Sequence, residues 1–231
     1  MSSYLMPQSN PFDQSTAKSS SAAQGEVGDD ATSVDQASDL DLVALLGSRL
    51  CHDLISPMGA IGNGVELLAM SGDAMSPELE LIAQSVNAAN ARLKFFRVAF
   101  GQAAPDQRLD ATEVRNLLRD MAATGRLAYD WQPLGDQSRQ MVKLCFLALL
   151  CAETAMPWGG TVRMREDSGR WFVEGETKKT KSNPDIWSVL QGSAQDVSPA
   201  QIQFALLPKE AARYGKSIAW HMEETTLRIT F

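Results

Sequence analysis

The sequence lacks the features that mark membrane-spanning, secreted and nucleic-acid-binding chains. No apolar run reaches the roughly 18 residues that span a bilayer, and no charged-then-apolar secretion signal opens the chain. With 28 acidic against 21 basic residues, the net charge of −7 argues against nucleic acid or an anionic membrane surface as the main partner. The three cysteines lack paired spacing. We therefore expect a cytoplasmic protein with free thiols.

Patterns of catalytic and metal-binding residues are equally scarce. The chain has only two histidines, and Cys51 beside His52 has no metal-site spacing. Adjacent helical residues diverge by about 100°, so these two side chains cannot form a thiol–imidazole pair. No Ser-His-Asp order, Walker loop or paired-carboxylate pattern is present. The second histidine, His221, lies in an alternating strand, where we expect a structural or surface role.

The first third of the chain divides into a tail and a helical hairpin. Residues 1–36 are rich in Ser, Gln, Ala, Gly and Asp without a hydrophobic period, which predicts a disordered tail. Residues 37–104 predict two long helices. Ser38 is the predicted N-cap of the first, which runs to about Met70, and Ser76-Pro77 begins the second.

The first helix has more apolar surface than one neighbouring helix can cover. Further apolar residues lie off its main stripe, which consists of Val43, Leu46, Leu50, Leu54, Ile61, Val65 and Leu68. Two apolar faces suggest a second hairpin. We therefore predict a four-helix bundle that forms when the chain assembles as a homodimer.

Residues 105–231 read as a mixed α/β domain. A helix over 109–123, a strand over 126–131 and a strongly apolar helix over 141–155 come first. Strand-like runs over 161–165 and 171–174 follow, joined by Asp167-Ser168-Gly169, and a last helix and two strands complete the domain. The order predicts an α+β fold with helices on one face of a largely antiparallel sheet.

His52 lies on the polar side of the first helix, nearly opposite the main stripe. At about 100° per residue, its side is shared by Ser48, Arg49, Ser56, Gly59, Asn63 and Glu66. The glycines at 59, 62 and 64 each cost a helix roughly 1 kcal/mol, but a strip thinned by glycine lets another protein approach closely. Pro57 predicts a bend one turn after His52. The residues alone leave two alternatives, a functional histidine or a surface histidine on a charged helix.

The segment around His52, CHDLISPM, resembles the phosphoacceptor box of sensor histidine kinases. The wider stretch LCHDLISPMGAIGNGVELL is similar to the alphaproteobacterial histidine phosphotransferases of the ChpT type, and the resemblance covers residues 38–231. It implies a phosphorelay in which His52 accepts phosphate from the receiver domain of an upstream hybrid histidine kinase. His52 then passes the phosphate to the receiver domains of response regulators.

The same resemblance implies roles for individual residues. Asp53 would orient the imidazole, although it can also be a solvated surface acid, and Arg49 would contact the phosphoryl group. The implied docking residues are Ser56, Gly59 and Asn63. This chain would bind no cofactor or metal ion, since Mg²⁺ is expected on the partner receiver.

The C-terminal half resembles the ATPase domain of sensor kinases without its nucleotide motifs. KLCFLALLCAETAMPWGGT is similar to the helix that carries the Asn-x-x-x-Asn-Ala box, but Leu147 and Cys151 replace the two asparagines. No Asp-x-Gly-x-Gly is present, and Ser198-Pro199-Ala200-Gln201 replaces the glycine-rich phosphate loop. The resemblance thus implies that residues 105–231 are a degenerate domain that does not use ATP.

Three other functions stay open at this point. The chain can be an active histidine kinase with an unusual nucleotide site, or a dimeric scaffold in which His52 is incidental. It can also be a receiver phosphatase, since the same geometry positions a water molecule.

Overall fold

The chain begins with an antiparallel helical hairpin. The computed structural model describes residues 29–70, 76–193 and 195–231, with side chains from Asp39 onwards. The hairpin consists of α1 (Asp29–Met70) and α2 (Pro77–Ala99). Ser76 Oγ accepts a hydrogen bond from Leu79 N at 3.3 Å, and proline occupies the first helical position. The predicted start of α2 is therefore confirmed.

The start of α1 corrects the prediction for the tail. The helix begins at Asp29, so residues 29–36 are helical rather than disordered, and Ser38 is not the N-cap. The segment 29–38 contains neither glycine nor proline, and each residue added to an existing helix closes one more hydrogen bond. A hydrophobic period is not needed for that extension. Residues 1–28 lie outside the described residues.

The face of α1 that packs on α2 differs from the predicted main stripe. Ala44 and Cys51 are buried, and a Cβ added to Gly62 would lie 3.5 Å from Val86 Cγ1 of α2. Of the predicted stripe only Val65 is buried, and the exposed members are Val43, Leu46, Leu50, Leu54, Ile61 and Leu68. α1 thus has two apolar faces, one of which is uncovered in the single chain. No helix in the described ranges combines the length and apolarity needed to cross a bilayer.

The C-terminal domain follows the predicted order of elements closely. Its elements are β1 (Arg108–Leu109), α3 (Ala111–Ala122), β2 (Leu127–Trp131), β3 (Gln137–Ser138), α4 (Arg139–Ala155), β4 (Gly160–Asp167), β5 (Arg170–Glu176), α5 (Pro184–Ser188), α6 (Ile202–Arg213), β6 (Ala219–Met222) and β7 (Thr226–Thr230). The short β1, β3 and α5 are absent from the prediction because segments of two to five residues show no period.

The main sheet has five strands in the order β2-β4-β5-β7-β6, and only β2 and β4 run parallel. Inward side chains such as Val162, Val173 and Ile229 are buried in the core, while charged residues alternate with them on the other face. At the β4–β5 turn Ser168 has φ 54° and Gly169 has φ 80°, as a type I′ hairpin requires. The predicted α+β fold class is confirmed.

Hairpin and C-terminal domain are packed against each other. Phe95 of α2 stacks on Phe146 of α4, with ring centroids 4.4 Å apart. The Arg139 guanidinium donates to the carbonyl oxygens of Arg97, at 2.9 Å, and Gln102, at 2.8 Å. The first bond satisfies a carbonyl in the last turn of α2 that lacks a helical partner, and the second holds the segment that follows the helix. The C-terminal domain is thereby held beside the helix pair.

Candidate functional site

His52 lies on a solvent-exposed side of α1 and not on the face that packs on α2. α1 continues without interruption through Pro57, and the side chain of His52 is 83% exposed. Cys51, the preceding residue, instead points into the hairpin and is buried. Burial is the main reason that the pKa of the Cys51 thiol is raised. The rejection of a thiol–imidazole pair is therefore confirmed by the burial of Cys51 and the exposure of His52. Adjacency alone does not exclude a contact, since Asp53 reaches His52 from the next position.

Asp53 joins His52 to Arg49. Its Oδ1 lies 3.2 Å from His52 Nδ1, and its Oδ2 lies 2.7 Å from Arg49 Nε, one turn earlier. The hydrogen bond with His52 is the largest cause that lowers the pKa of Asp53, and Arg49 adds to it. A charged carboxylate only accepts hydrogen bonds. The imidazole proton in this contact must therefore be on Nδ1.

This arrangement leaves Nε2 as the imidazole nitrogen that does not contact Asp53. A neutral ring with its proton on Nδ1 has a lone pair on Nε2, and a positioned imidazole nitrogen is a competent nucleophile. The carboxylate fixes both the tautomer and the orientation of the ring. A positive charge that develops on the ring is stabilised by the same carboxylate.

The predicted docking residues extend along the same side of α1. Ser56 and Asn63 are exposed, and a Cβ added to Gly59 would meet nothing within 4 Å. Ser48, predicted on the same side, has a structural role instead. It is half-buried, and its hydroxyl accepts a hydrogen bond from Gln102 N at 3.1 Å, which holds the chain that follows α2.

In the C-terminal domain, the helix that resembles a nucleotide-binding helix is almost entirely buried. Leu147 and Cys151 of α4 have no exposed surface. One turn earlier, Lys143 forms a buried ion pair with Glu210 of α6. Positions 143, 147 and 151 share one side of α4, and α6 meets that side at Lys143. Where a kinase would present polar ligands, this chain has an apolar contact and one internal ion pair.

Sequence reasoning missed residues that connect elements distant in the chain. Arg139 is the first residue of an apolar helix, and its bonds to backbone carbonyls leave no sequence pattern. Lys143 and Glu210 are far apart in the chain and become partners only when α4 meets α6.

Within the described residues, no group of three or more His, Cys, Asp or Glu side chains is arranged to hold a metal ion.

His221 offers a contrast with His52. Its Nε2 lies 3.2 Å from Glu223 Oε1, and both side chains are exposed on the sheet. β6, which carries it, is the edge strand of the sheet. The predicted surface location of His221 is confirmed.

Comparisons with known proteins agree on one family. The family model described as the histidine phosphotransferase C-terminal domain matches residues 111–226, half of the chain. Protein phosphotransferase ChpT of Brucella abortus (strain 2308) is 33% identical over 192 residues, which cover 79% of this chain and 90% of that protein. An alignment of that length includes the hairpin as well as the C-terminal domain.

A solved structure of a bacterial phosphotransferase gives the same result. It has 26% sequence identity and a TM-score of 0.60, and the match covers 83% of this chain and 95% of that one. The resemblance seen in the sequence is thereby confirmed. The chain belongs to the histidine phosphotransferase family and acts as a protein-histidine phosphotransferase in a phosphorelay.

Proposed function

We propose that His52 is the residue that carries the phosphoryl group between receiver domains. The observation that supports this most is the exposed imidazole, whose Nδ1 is engaged by Asp53 while Nε2 stays open. The phosphoryl donor is a phosphorylated aspartate of an upstream hybrid-kinase receiver. The acceptors are aspartates of response-regulator receivers.

In the proposed phosphoryl transfer, this chain supplies one nucleophile, the imidazole of His52. The Nε2 lone pair attacks phosphorus, an N–P bond forms, and the P–O bond to the donor aspartate breaks so that its carboxylate leaves with the electron pair. The imidazole becomes positively charged, and Asp53 stabilises that charge through the Nδ1 proton. A second receiver's carboxylate reverses these steps. Such transfers depend chiefly on in-line positioning and charge neutralisation.

Arg49 supports the site in two ways. Its Nε is bound to Asp53, so it first holds the carboxylate in place against the imidazole. A guanidinium has five N–H donors, and those not used by Asp53 are available to contact the phosphoryl oxygens.

Mg²⁺ belongs to the receiver's own acidic pocket, and this chain binds neither a metal ion nor another cofactor. Because the cysteines are free and receivers are its partners, we place the protein in the cytoplasm.

We also propose that the C-terminal domain does not use ATP. Leu147 and Cys151 offer no ligand for a nucleotide-bound cation, and both are buried on the side of α4 that α6 meets at Lys143. Opening that contact would leave Lys143 and Glu210 unpaired, which is costly in a protein interior. The domain instead serves as a second surface and a brace for the hairpin.

The hairpin is proposed to form a homodimer through its uncovered apolar stripe. That stripe lies opposite His52 and about 100° from the face that packs on α2. A helix in a four-helix bundle contacts two neighbours, which is what two apolar faces at this angle provide. Contiguous exposed apolar side chains of this kind mark an association surface. A second copy covers the stripe and leaves both His52 side chains facing outward.

The test of His52 uses a phosphorylated receiver domain as donor. Wild-type chain is expected to gain label that survives alkali and is lost in acid. His52→Ala should gain none, whereas His221→Ala, the matched control, should gain label like wild type. Label on His52→Ala, or acid-stable label on wild type, would refute the assignment. Label from γ-labelled ATP on the purified chain would revive the kinase alternative.

A further inference from the structure

Two cations on α2 lie level with His52. A Cβ added to Gly47 would lie 3.0 Å from Phe100 O, and one added to Gly62 would lie 3.5 Å from Val86 Cγ1. These two contacts fix the register of the antiparallel pair. Between them, the stretch of α1 around His52 is level with the last turns of α2, which carry Lys94 and Arg97.

Lys94 lies on the same side of the hairpin as His52. Val86 of α2 faces α1, while the buried Phe95 lies on the opposite side and packs against the C-terminal domain. At about 100° per residue, one remaining side of α2 carries Ile82 and Phe96, and it continues the apolar stripe of α1 that lies opposite His52. The other side carries Lys94, with Arg97 at its edge toward α1.

Lys94 and Arg97 are both exposed, and neither forms an ion pair within the parts of the chain that the structure describes. The neighbouring arginines do have partners, Arg49 with Asp53 and Arg92 with Glu153. Arg97 sits in the last turn of α2, where a cation favours the helix dipole, but this does not account for Lys94. The chain as a whole carries a net charge of −7, so this is a local patch of opposite sign.

We propose that Lys94 and Arg97 form the second half of the receiver-docking surface, as positioning residues that bind the acidic rim of the receiver's phosphorylation pocket. The inference rests on the proposed role of His52. A pocket that holds an aspartyl phosphate and a divalent cation is lined by carboxylates, and it must come within bonding distance of His52. The two cations lie on the α2 side of the groove between α1 and α2 at that point. Opposite charges there accelerate encounter and set the orientation of the docked domain.

The test measures the salt dependence of phosphoryl transfer in charge-neutral variants. Lys94→Gln and Lys94→Gln/Arg97→Gln are compared with Lys178→Gln/Lys179→Gln, which removes the same charge from exposed positions after β5. At low ionic strength the double variant should lose about tenfold in kcat/KM from a phosphorylated receiver, and the loss should shrink at high salt. The maximal rate at saturating receiver should be unchanged, and the Lys178/Lys179 variant should transfer like wild type.

Phosphoramidate, a small phosphoryl donor, separates this inference from the proposed role of His52. It needs no docking surface, so the Lys94 and Arg97 variants should be labelled at the wild-type rate. Equal kcat/KM for the double variant and its control at low salt would overturn the inference while leaving His52 in place. If wild type takes no phosphoryl group from receiver or from phosphoramidate, both proposals fail. Lys94→Gln alone changes an exposed side chain, so it remains decisive should the double variant fold poorly.

Discussion

The helices α1 and α4 carry related signals and have opposite surroundings. α1 displays a histidine, a polar strip and an apolar stripe to solvent, whereas α4 is enclosed by the sheet, α2 and α6. The helix that resembles a phosphoacceptor helix is open to partners. The helix that resembles a nucleotide helix lies in the core, and its ion pair with α6 is buried. Surroundings, rather than helix sequence alone, separate the accessible part of the chain from its enclosed part.

The largest expected effect on stability comes from breaking the buried ion pair between α4 and α6. Lys143→Met leaves Glu210 buried without its cation and should lower the free energy of unfolding by about 3–5 kcal/mol. Lys143→Met/Glu210→Met removes both charges and should recover most of that loss. Urea denaturation followed by circular dichroism measures both variants. A double variant no more stable than the single one would contradict the role of the pair.

The next effect tests whether the open stripe of α1 is covered by a second copy. Leu50→Arg removes about 1.5–3 kcal/mol of apolar burial from each protomer of the proposed dimer and adds a charge. Light scattering at micromolar concentration should change from a dimeric to a monomeric mass. Leu134→Arg, at an exposed leucine of the C-terminal domain, is the matched control and should stay dimeric. A monomeric wild-type chain would refute the dimer.

A smaller effect is expected from the carboxylate beside His52. Asp53→Asn keeps the shape of the side chain but replaces a charged acceptor with a neutral one, which weakens the hydrogen bond to the His52 imidazole. Single-turnover transfer from a phosphorylated receiver should slow by about fivefold to tenfold. Asp106→Asn, on the loop before β1, should transfer at the wild-type rate.

The pH dependence of the Asp53 contact follows from the direction of its pKa shift. Because the folded-state pKa of Asp53 is lowered, its charged contact is present above the ordinary carboxyl pKa and is lost as pH falls through the lowered value. The difference in rate between wild type and Asp53→Asn should therefore persist at neutral pH. A variant that matches wild type there would show that Asp53 is only a solvated surface acid.

The smallest expected effect comes from Gly59, where one substitution should change helix stability and receiver docking in opposite directions. Gly59→Ala should raise helix stability by roughly 0.5–1 kcal/mol, because alanine is the better helix former and the added Cβ meets nothing within this chain. A docked receiver would meet that methyl group, so transfer should slow several-fold while the melting temperature rises. Gly64→Ala also has open surroundings within the single chain, but it lies beside the apolar stripe of the proposed dimer and away from His52. It is the control for transfer alone, which should proceed at the wild-type rate.

Caps, turns and hydrophobic periods predicted the helices and strands well, but they did not predict which elements pack against each other. The cap at Ser76-Pro77, the turn at Ser168-Gly169 and the alternating strands each depend on nearby residues, and the structure has them where they were expected. The start of α1 was missed because helix extension needs no hydrophobic period. The stripe containing Leu50 was correctly seen as apolar, but whether it faces α2 depends on the position of another helix.

At the candidate site, too, some features follow from local sequence and others only from helix packing. The sequence by itself determined that His52, Asp53 and Arg49 share one turn of a helix, since spacing along a helix decides which side chains are neighbours. Only the tertiary structure decided that Cys51 turns inward, that Lys143 meets Glu210, and that Lys94 lies level with His52. Those contacts join residues far apart in the chain. Their geometry depends on how helices pack, which no local period specifies.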